Sequence, residues 1–301
     1  MSNLLSFDLE DWYQIVYRDF TGEHIPASDS LLRQVDKLTE VLERHNAKAT
    51  FFVLGMAAET FPHLIKHIAA AGHEIAVHGY AHLAVYRISR DQFRGDTRHA
   101  KELIEDLCGK AVVGYRATAF SIITRSLWAL EELSNLGFEY DSSIFPVRHR
   151  RYGIPDFSVK PERYLLTNGK SIVELPLATL EIGNLRLPVA GGGYFRMLPY
   201  PVLRRAIQLH EAKGRPFMTY FHPYEFDEER LNIFQIMRPA SWRKSLRAHR
   251  FNWHQNLGRN TMISKLEAIL SDFEFTTCQE FLNHVRCPEN ASLLSSARAA
   301  V

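Results

Sequence analysis

Two histidines four positions apart, His78 and His82, enclose Gly79-Tyr80-Ala81 and follow the apolar run Ile75-Ala76-Val77. Imidazole is a common ligand for divalent metals, and such a pair can place two nitrogens on one ion. A carboxylate would extend the set, and the chain offers Asp8, Glu10 and Asp11 within four positions. Carboxylates this close repel one another unless a cation or an arginine compensates them. On a strand the side-chain period is two, so Asp8 and Glu10 share a face, and Asp11 joins them only through a turn or bulge. Arg116, Asp141 and His222 are further residues of catalytic type, and each also follows an apolar run.

The elements that must position these residues are legible as periodicity. Strand-like runs cover residues 4–7, 48–55, 73–77, 111–115, 138–140, 171–175 and 216–221, with a further one at 273–277. Helical patterns cover 28–43, 57–71, 91–107, 126–135, 200–213, 263–270 and 279–285. This alternation predicts an α/β fold of parallel strands with crossover helices, either a barrel or a wound sheet. Asp8, His78, Arg116, Asp141 and His222 all fall at the C-terminal ends of predicted strands, which converge on one face of a parallel barrel. Residues 145–169 read as an irregular, basic excursion. The run Gly191-Gly192-Gly193 is not a phosphate loop, because no Lys-Ser/Thr follows it. Tyr194 and Arg196 behind it, and Trp12 behind the acidic run, are expected to touch the substrate.

The 301 residues suffice for one large domain, and the 46% hydrophobic and 23% charged content is that of a globular protein. A formal net charge of +2 implies no partner by itself. Cys108, Cys278 and Cys287 lack CxxC spacing, which excludes a cysteine zinc site and a disulfide framework. No leader-like segment precedes the first strand, and no apolar run approaches the roughly 18 residues of a spanning helix. A cytoplasmic location is expected, peripheral to the inner membrane if the basic segment binds there. In that segment Arg230, Arg238, Arg243, Lys244, Arg247, Arg250 and Arg259 occur with no acid before Glu267. It reads as a solvated face or as a surface for an anionic partner; no motif suggests nucleic acid. The expected organisation is a barrel over 1–229, a basic extension packed on it over 230–287, and a disordered tail over 288–301.

Leu5-Ser6-Phe7-Asp8, Ala49-Thr50-Phe51-Phe52-Val53-Leu54-Gly55, His78-Gly79-Tyr80-Ala81-His82, Gly114-Tyr115-Arg116 and Tyr220-Phe221-His222 stand in one order along the chain. In this order the sequence resembles the polysaccharide deacetylases, carbohydrate esterase family 4 or the NodB-homology domain, over roughly residues 1–225. Asp8-Leu9-Glu10-Asp11-Trp12, Tyr140-Asp141-Ser142-Ser143-Ile144-Phe145-Pro146, the triple glycine and the C-terminal extension resemble a branch found with exopolysaccharide, lipopolysaccharide and exosortase systems.

The resemblance implies a distorted (β/α) barrel of seven parallel strands with a C-terminal extension. It implies a divalent metal, zinc first and cobalt, nickel or manganese as alternatives, held by His78, His82 and one carboxylate. The family carries two adjacent aspartates, a base and then a ligand. Here Asp8 matches the first and Leu9 follows, so the ligand is Glu10 by position or Asp11 by residue type. Asp8 is the expected general base with Arg116 paired to it, His222 the general acid, and Asp141 the carboxylate that holds its other ring nitrogen. An N–H near Ala119 is a candidate oxyanion donor. Thr118 replaces the usual proline, and Gly79 the usual Ser or Thr.

The implied activity is hydrolysis of N-acetyl groups on a sugar of a bacterial polysaccharide or glycolipid pathway. The same reading admits a nucleotide-linked, a lipid-linked or a polymeric acceptor. Alternatives are allantoinase-like hydrolysis of a cyclic amide and a silent carbohydrate-binding domain. The second is disfavoured because it would need none of Asp8, His78, His82, Arg116 and His222.

Overall fold

The computed structural model describes residues 2–183, 185–238 and 241–291. Two short strands open the chain, β1 (Asn3–Leu4) and β2 (Ser6–Leu9). All of β2 is buried, as expected of a strand covered by helices on one face and by other strands on the other. The chain leaves β2 at Leu9, and Asp11 becomes the cap of α1 (Trp12–Thr21), accepting from the Gln14 N–H. The next helix, α2 (Ser30–Arg44), buries Leu31, Val35, Leu38, Val41 and Leu42.

After β3 (Thr50–Val53), the single helix expected over 57–71 is two, α3 (Gly55–Thr60) and α4 (Pro62–Ala70). Pro62 explains the break, since it cannot donate to a preceding turn but is well suited to start a new one. Then follow β4 (Glu74–Val77), the long α5 (Arg90–Cys108) between its Ser89 cap and Gly109, β5 (Gly114–Tyr115), α6 (Ala129–Asn135) and β6 (Tyr140–Asp141).

The excursion expected over 145–169 is not wholly irregular. It contains β7 (Glu162–Leu165), which pairs antiparallel with β8 (Ser171–Glu174). The short link between them turns at Gly169, whose φ is 79°, and a link of this length can join only antiparallel neighbours. A second antiparallel pair, β9 (Thr179–Ile182) and β10 (Leu185–Pro188), leads to α7 (Gly192–Met197) and α8 (Tyr200–Ala212). The C-terminal part holds α9 (Trp242–Asn256), α10 (Met262–Asp272), β11 (Phe275–Thr276), α11 (Cys278–His284) and β12 (Glu289–Asn290).

The main sheet has the order β12-β7-β8-β6-β5-β4-β3-β2. Its parallel run is β2, β3, β4, β5, β6 and β8. Beyond β2, residues 218–221 continue the parallel order through the bridges Leu4↔Met218 and Phe7↔Phe221, and Gly191 bridges Tyr220 on their far side. The Ala178 N–H donates to the Met218 carbonyl at 3.2 Å, tying the chain after β8 to the same segment. This is the α/β fold of barrel type that the alternation predicts, modified by the antiparallel β7 between β8 and the edge strand β12.

One apolar core runs from Leu4 and Phe7 through Phe51, Phe52 and Phe221 to Met262, Leu266, Ile269 and Phe281. Phe7 and Phe51 stack with ring centroids 5.2 Å apart, and burying a side chain of this size contributes about 2–3 kcal/mol. β1 pairs with β11, so the last part of the chain holds the first strand. A second cluster joins Trp12, Tyr13 and Val16 to Leu231, Ile233 and Ala248. The tail expected from Pro288 begins as paired strand, because Glu289 and Asn290 lie beside Arg163 and Tyr164. Residues 292–301 lie outside the described residues. Among the described residues no helix is long and apolar enough to cross a membrane.

Candidate active site

Strand ends build the site. Glu10 follows β2 in a tight turn whose N–H donates to the Asp8 carbonyl at 3.1 Å, so both side chains remain on the strand's C-terminal end. His78 follows β4 and is held by its N–H to the Val53 carbonyl at 2.8 Å. His82 adopts φ 54°, in the left-handed region that only a few non-glycine residues occupy. Arg18 of α1 supports this bend by donating to the carbonyls of Ala81 and His82.

Ligand atoms of Glu10, His78 and His82 all lie within 4.8 Å of one another. Glu10 Oε2 is 2.9 Å from His82 Nε2 and 3.6 Å from His78 Nε2. His78 Nδ1 lies 2.9 Å from the Arg116 carbonyl oxygen, which can only accept. In the neutral tautomer that this contact selects, Nδ1 carries the hydrogen and Nε2 turns its lone pair toward Glu10. Glu10 Oε2 is buried and receives no hydrogen bond. Acceptor facing acceptor in a buried cluster is the arrangement a cation satisfies, so these residues fit a divalent metal. Burial pushes the Glu10 carboxyl up, but His82, His78 and His222 outweigh it and hold the group well below the usual carboxylate range.

Asp8 lies beside this cluster, with Oδ2 4.0 Å from His78 Nε2. Its Oδ1 accepts from Arg116 Nη1 at 2.7 Å. Arg116 is fully buried and fixed on every side. It donates to Ser6 Oγ at 2.8 Å, the Ser142 carbonyl at 3.1 Å and Ser142 Oγ at 3.0 Å, and its guanidinium lies 3.9 Å from the Phe52 ring centroid. In the loop that follows it, beyond Ala117 and Thr118, Ala119 and Phe120 have φ of 52° and 50°, strained values for residues with a Cβ.

His222 completes the group. Its Nε2 is 3.3 Å from Glu10 Oε1, and its Nδ1 is 3.5 Å from Glu225 Oε2. Burial alone would lower the imidazole's pKa, but Glu225, Glu10 and Asp8 raise it to about 9.

Asp8, Glu10, His78, His82, Arg116 and His222 are thus brought together, and the five other expected contributors have different partners. Asp11 is occupied as a cap: its oxygens accept from Ser28 N at 3.1 Å, Ser28 Oγ at 2.9 Å and Gln14 N at 3.0 Å. Asp141 does not orient His222. It accepts from Ser143 N and Oγ and pairs in register with Glu174 on β8, and burial drives Asp141 up to about 6 and Glu174 well above its ordinary value. Trp12 is buried against Phe251, with ring centroids 6.0 Å apart. Arg196 is also buried, donating to the carbonyls of His254 and Gln255 with its Nε 3.7 Å from Glu225 Oε1. Tyr194, half-buried, meets the Tyr152 hydroxyl.

The carboxylate that the sequence reading missed is Glu225, whose Oε2 also accepts from the His222 N–H at 3.0 Å. Its signal was His222-Pro223-Tyr224-Glu225, the i, i+3 spacing of a capping box with proline at the first helical position.

Residues 29–140 match the model of the polysaccharide deacetylase family, a span that includes His78, His82 and Arg116. The match shows a polysaccharide deacetylase segment within the chain. Residues 142–283 match a domain of unknown function, DUF3473. A peptidoglycan-N-acetylglucosamine deacetylase of Bacillus cereus is 37% identical over 129 residues, 40% of this chain and 47% of its own. A peptidoglycan deacetylase of Helicobacter pylori is 37% identical over 112 residues, 36% of each chain. The chain thus spans less than half the length of these curated relatives. Among solved structures, a Mycobacterium smegmatis protein described as a polysaccharide deacetylase superposes with TM-score 0.61 at 21% identity, over 94% of this chain and 89% of its own. An allantoinase superposes with TM-score 0.59 at 16% identity, over 93% and 88%. These likenesses show the fold, and it is the fold the sequence predicts.

Proposed function

We propose that this protein is a member of the polysaccharide deacetylase family and a metal-dependent hydrolase that removes N-acetyl groups from a sugar. The observation that carries the reading is the meeting of Glu10, His78 and His82 within 4.8 Å, flanked by arginine-paired Asp8 and by His222. Glu10, His78 and His82 would hold the cation, with zinc favoured by the donor set and cobalt, nickel or manganese compatible with it. When bound, a cation at such a site polarises an amide carbonyl and acidifies a water. Asp8, oriented by Arg116, accepts the proton of the attacking water. His222, supported by Glu225, donates a proton to the departing nitrogen, so that amide and water become free amine and acetate. The Ala119 N–H is the candidate donor to the oxyanion.

The names of the Bacillus cereus and Helicobacter pylori relatives, a peptidoglycan-N-acetylglucosamine deacetylase and a peptidoglycan deacetylase, support an N-acetylhexosamine as the substrate unit. We assign the chemistry to residues 1–229 and treat 230–287 as an extension packed on them. The basic run from Arg230 supports an acceptor that carries phosphate, lipid-linked or nucleotide-linked, handled on the cytoplasmic side of the inner membrane in exopolysaccharide or glycolipid synthesis. The test is acetate release from chitooligosaccharides by protein loaded with one equivalent of metal, with allantoin as control substrate. Full metal loading with no acetate from any N-acetylhexosamine compound would overturn the reading.

A further inference from the structure

We propose that the outer face of α9 docks this protein on an anionic bilayer, so that the site works on saccharides held at a lipid surface. The substrate clause rests on the deacetylase reading; the docking clause does not.

The helix is amphipathic in the unusual sense. At 100° per residue, Trp242, Leu246 and Trp253 fall within about 40° of arc. That stripe faces outward: the three residues are 72%, 55% and 63% exposed, while Ala248 and Asn252 on the other side are buried. Arg250, Arg243 and Arg247 follow along one flank of the stripe, between about 80° and 140° from Trp242. Trp242, Arg243, Leu246, Arg247 and Arg250 line a surface hollow.

An ordinary solvated helix spaces acids among its bases and keeps indoles off the surface. Neither holds here. Residues 230–266 contain no acid, and Arg243, Lys244, Arg247 and Arg250 have no carboxylate partner among the described residues. Arg243 instead lies 5.3 Å from the Trp242 ring centroid, and Arg247 5.1 Å from that of Phe20. Exposed tryptophan and leucine with unpaired arginines beside them match an interface with apolar acyl chains below and phosphates above. Nucleic acid would also meet the charge, but it offers no apolar layer for Leu246.

The surface is coupled to the site. Phe251, on the inner side of α9, stacks on Trp12, two residues after Glu10. The carbonyls of His254 and Gln255 receive Arg196, whose Nε faces Glu225 behind His222. A bilayer against α9 would therefore lie near the residues that support the candidate acid.

The test uses the full chain with vesicles of phosphatidylcholine alone or mixed equally with phosphatidylglycerol. Flotation with the anionic vesicles only, and a blue shift of tryptophan emission, are expected. Trp242→Ala with Trp253→Ala, and separately Arg243→Gln with Arg250→Gln, should each weaken binding by roughly tenfold or more. Acetate release from soluble chitooligosaccharide should be unchanged in both, which also shows that the variants fold. No flotation with anionic vesicles, or flotation that neither pair reduces, would overturn docking. So would a dimer in sedimentation velocity that the Trp242 and Trp253 changes dissolve while vesicles fail to bind, or binding of single-stranded DNA in place of vesicles. Vesicle binding without acetate release from any sugar would remove the deacetylase reading and leave docking intact.

Discussion

The carbonyl oxygen of Arg116 accepts from His78 Nδ1 at 2.9 Å, while the guanidinium of the same residue holds Asp8 at 2.7 Å. One buried residue thus sets the tautomer of a candidate ligand through its backbone and the orientation of the candidate base through its side chain.

These two roles separate under mutation. Arg116→Lys retains the carbonyl, so metal stoichiometry by elemental analysis should remain at one while turnover falls by about 10²-fold or more. Asp8→Asn should likewise keep the metal and lose turnover; loss of metal in Asp8→Asn would make Asp8 a ligand instead.

Glu10 and Asp11 are adjacent and should respond oppositely. Glu10→Gln is expected to lose metal affinity, measured by chelator competition. Asp11→Ala should keep the metal and lose about 1 kcal/mol in denaturant unfolding, the usual cost of a lost helix cap. Equal metal loss in both would reverse the assignment.

Glu225→Gln should leave metal content unchanged, because Glu225 contacts His222 and Arg196 and is not one of the three clustered ligands. We expect kcat to fall by about 10- to 100-fold with KM little changed, as for lost support of a general acid. A change confined to KM would place Glu225 in substrate binding.

Stability should fall in acid through Asp227. Burial would raise its carboxyl, but Arg33 and Lys37, at 2.8 and 2.9 Å, prevail and hold it down to about 2. The folded pKa lies below the unfolded value of about 3.9, so the contribution is present above that value and is lost as pH falls toward 2. Both basic partners are more than a third exposed, so solvent screening makes the effect small, about 1 kcal/mol or less. Asp227→Asn should flatten the corresponding part of the acid limb in urea titrations.

Strand ends were the legible part of the site. Apolar runs ending in Asp8, His78, Arg116 and His222 needed only burial and period to be placed on one face. The choice between Glu10 and Asp11 needed more, because it depends on where the chain leaves β2, and a cap and a ligand are both good uses of an aspartate. Asp141 looked like a partner for His222 until the register of β6 and β8 set it beside Glu174. Glu225 was hidden by its own spacing, which reads equally well as a helix cap. Arg196 looked available behind its glycines, but the carbonyls that occupy it come from α9, some sixty residues away, as the separation of 59 from Gln255 records.

The pairing of β1 with β11 has a temporal side. The side chain of Asn3 bonds the carbonyl of Glu274, 271 residues later, so β1 gains this neighbour only once the β11 segment has left the ribosome. Contacts this distant in sequence form slowly. Asp8 and Glu10, on the strand that follows β1, would then wait for a segment made long after them before their surroundings are complete.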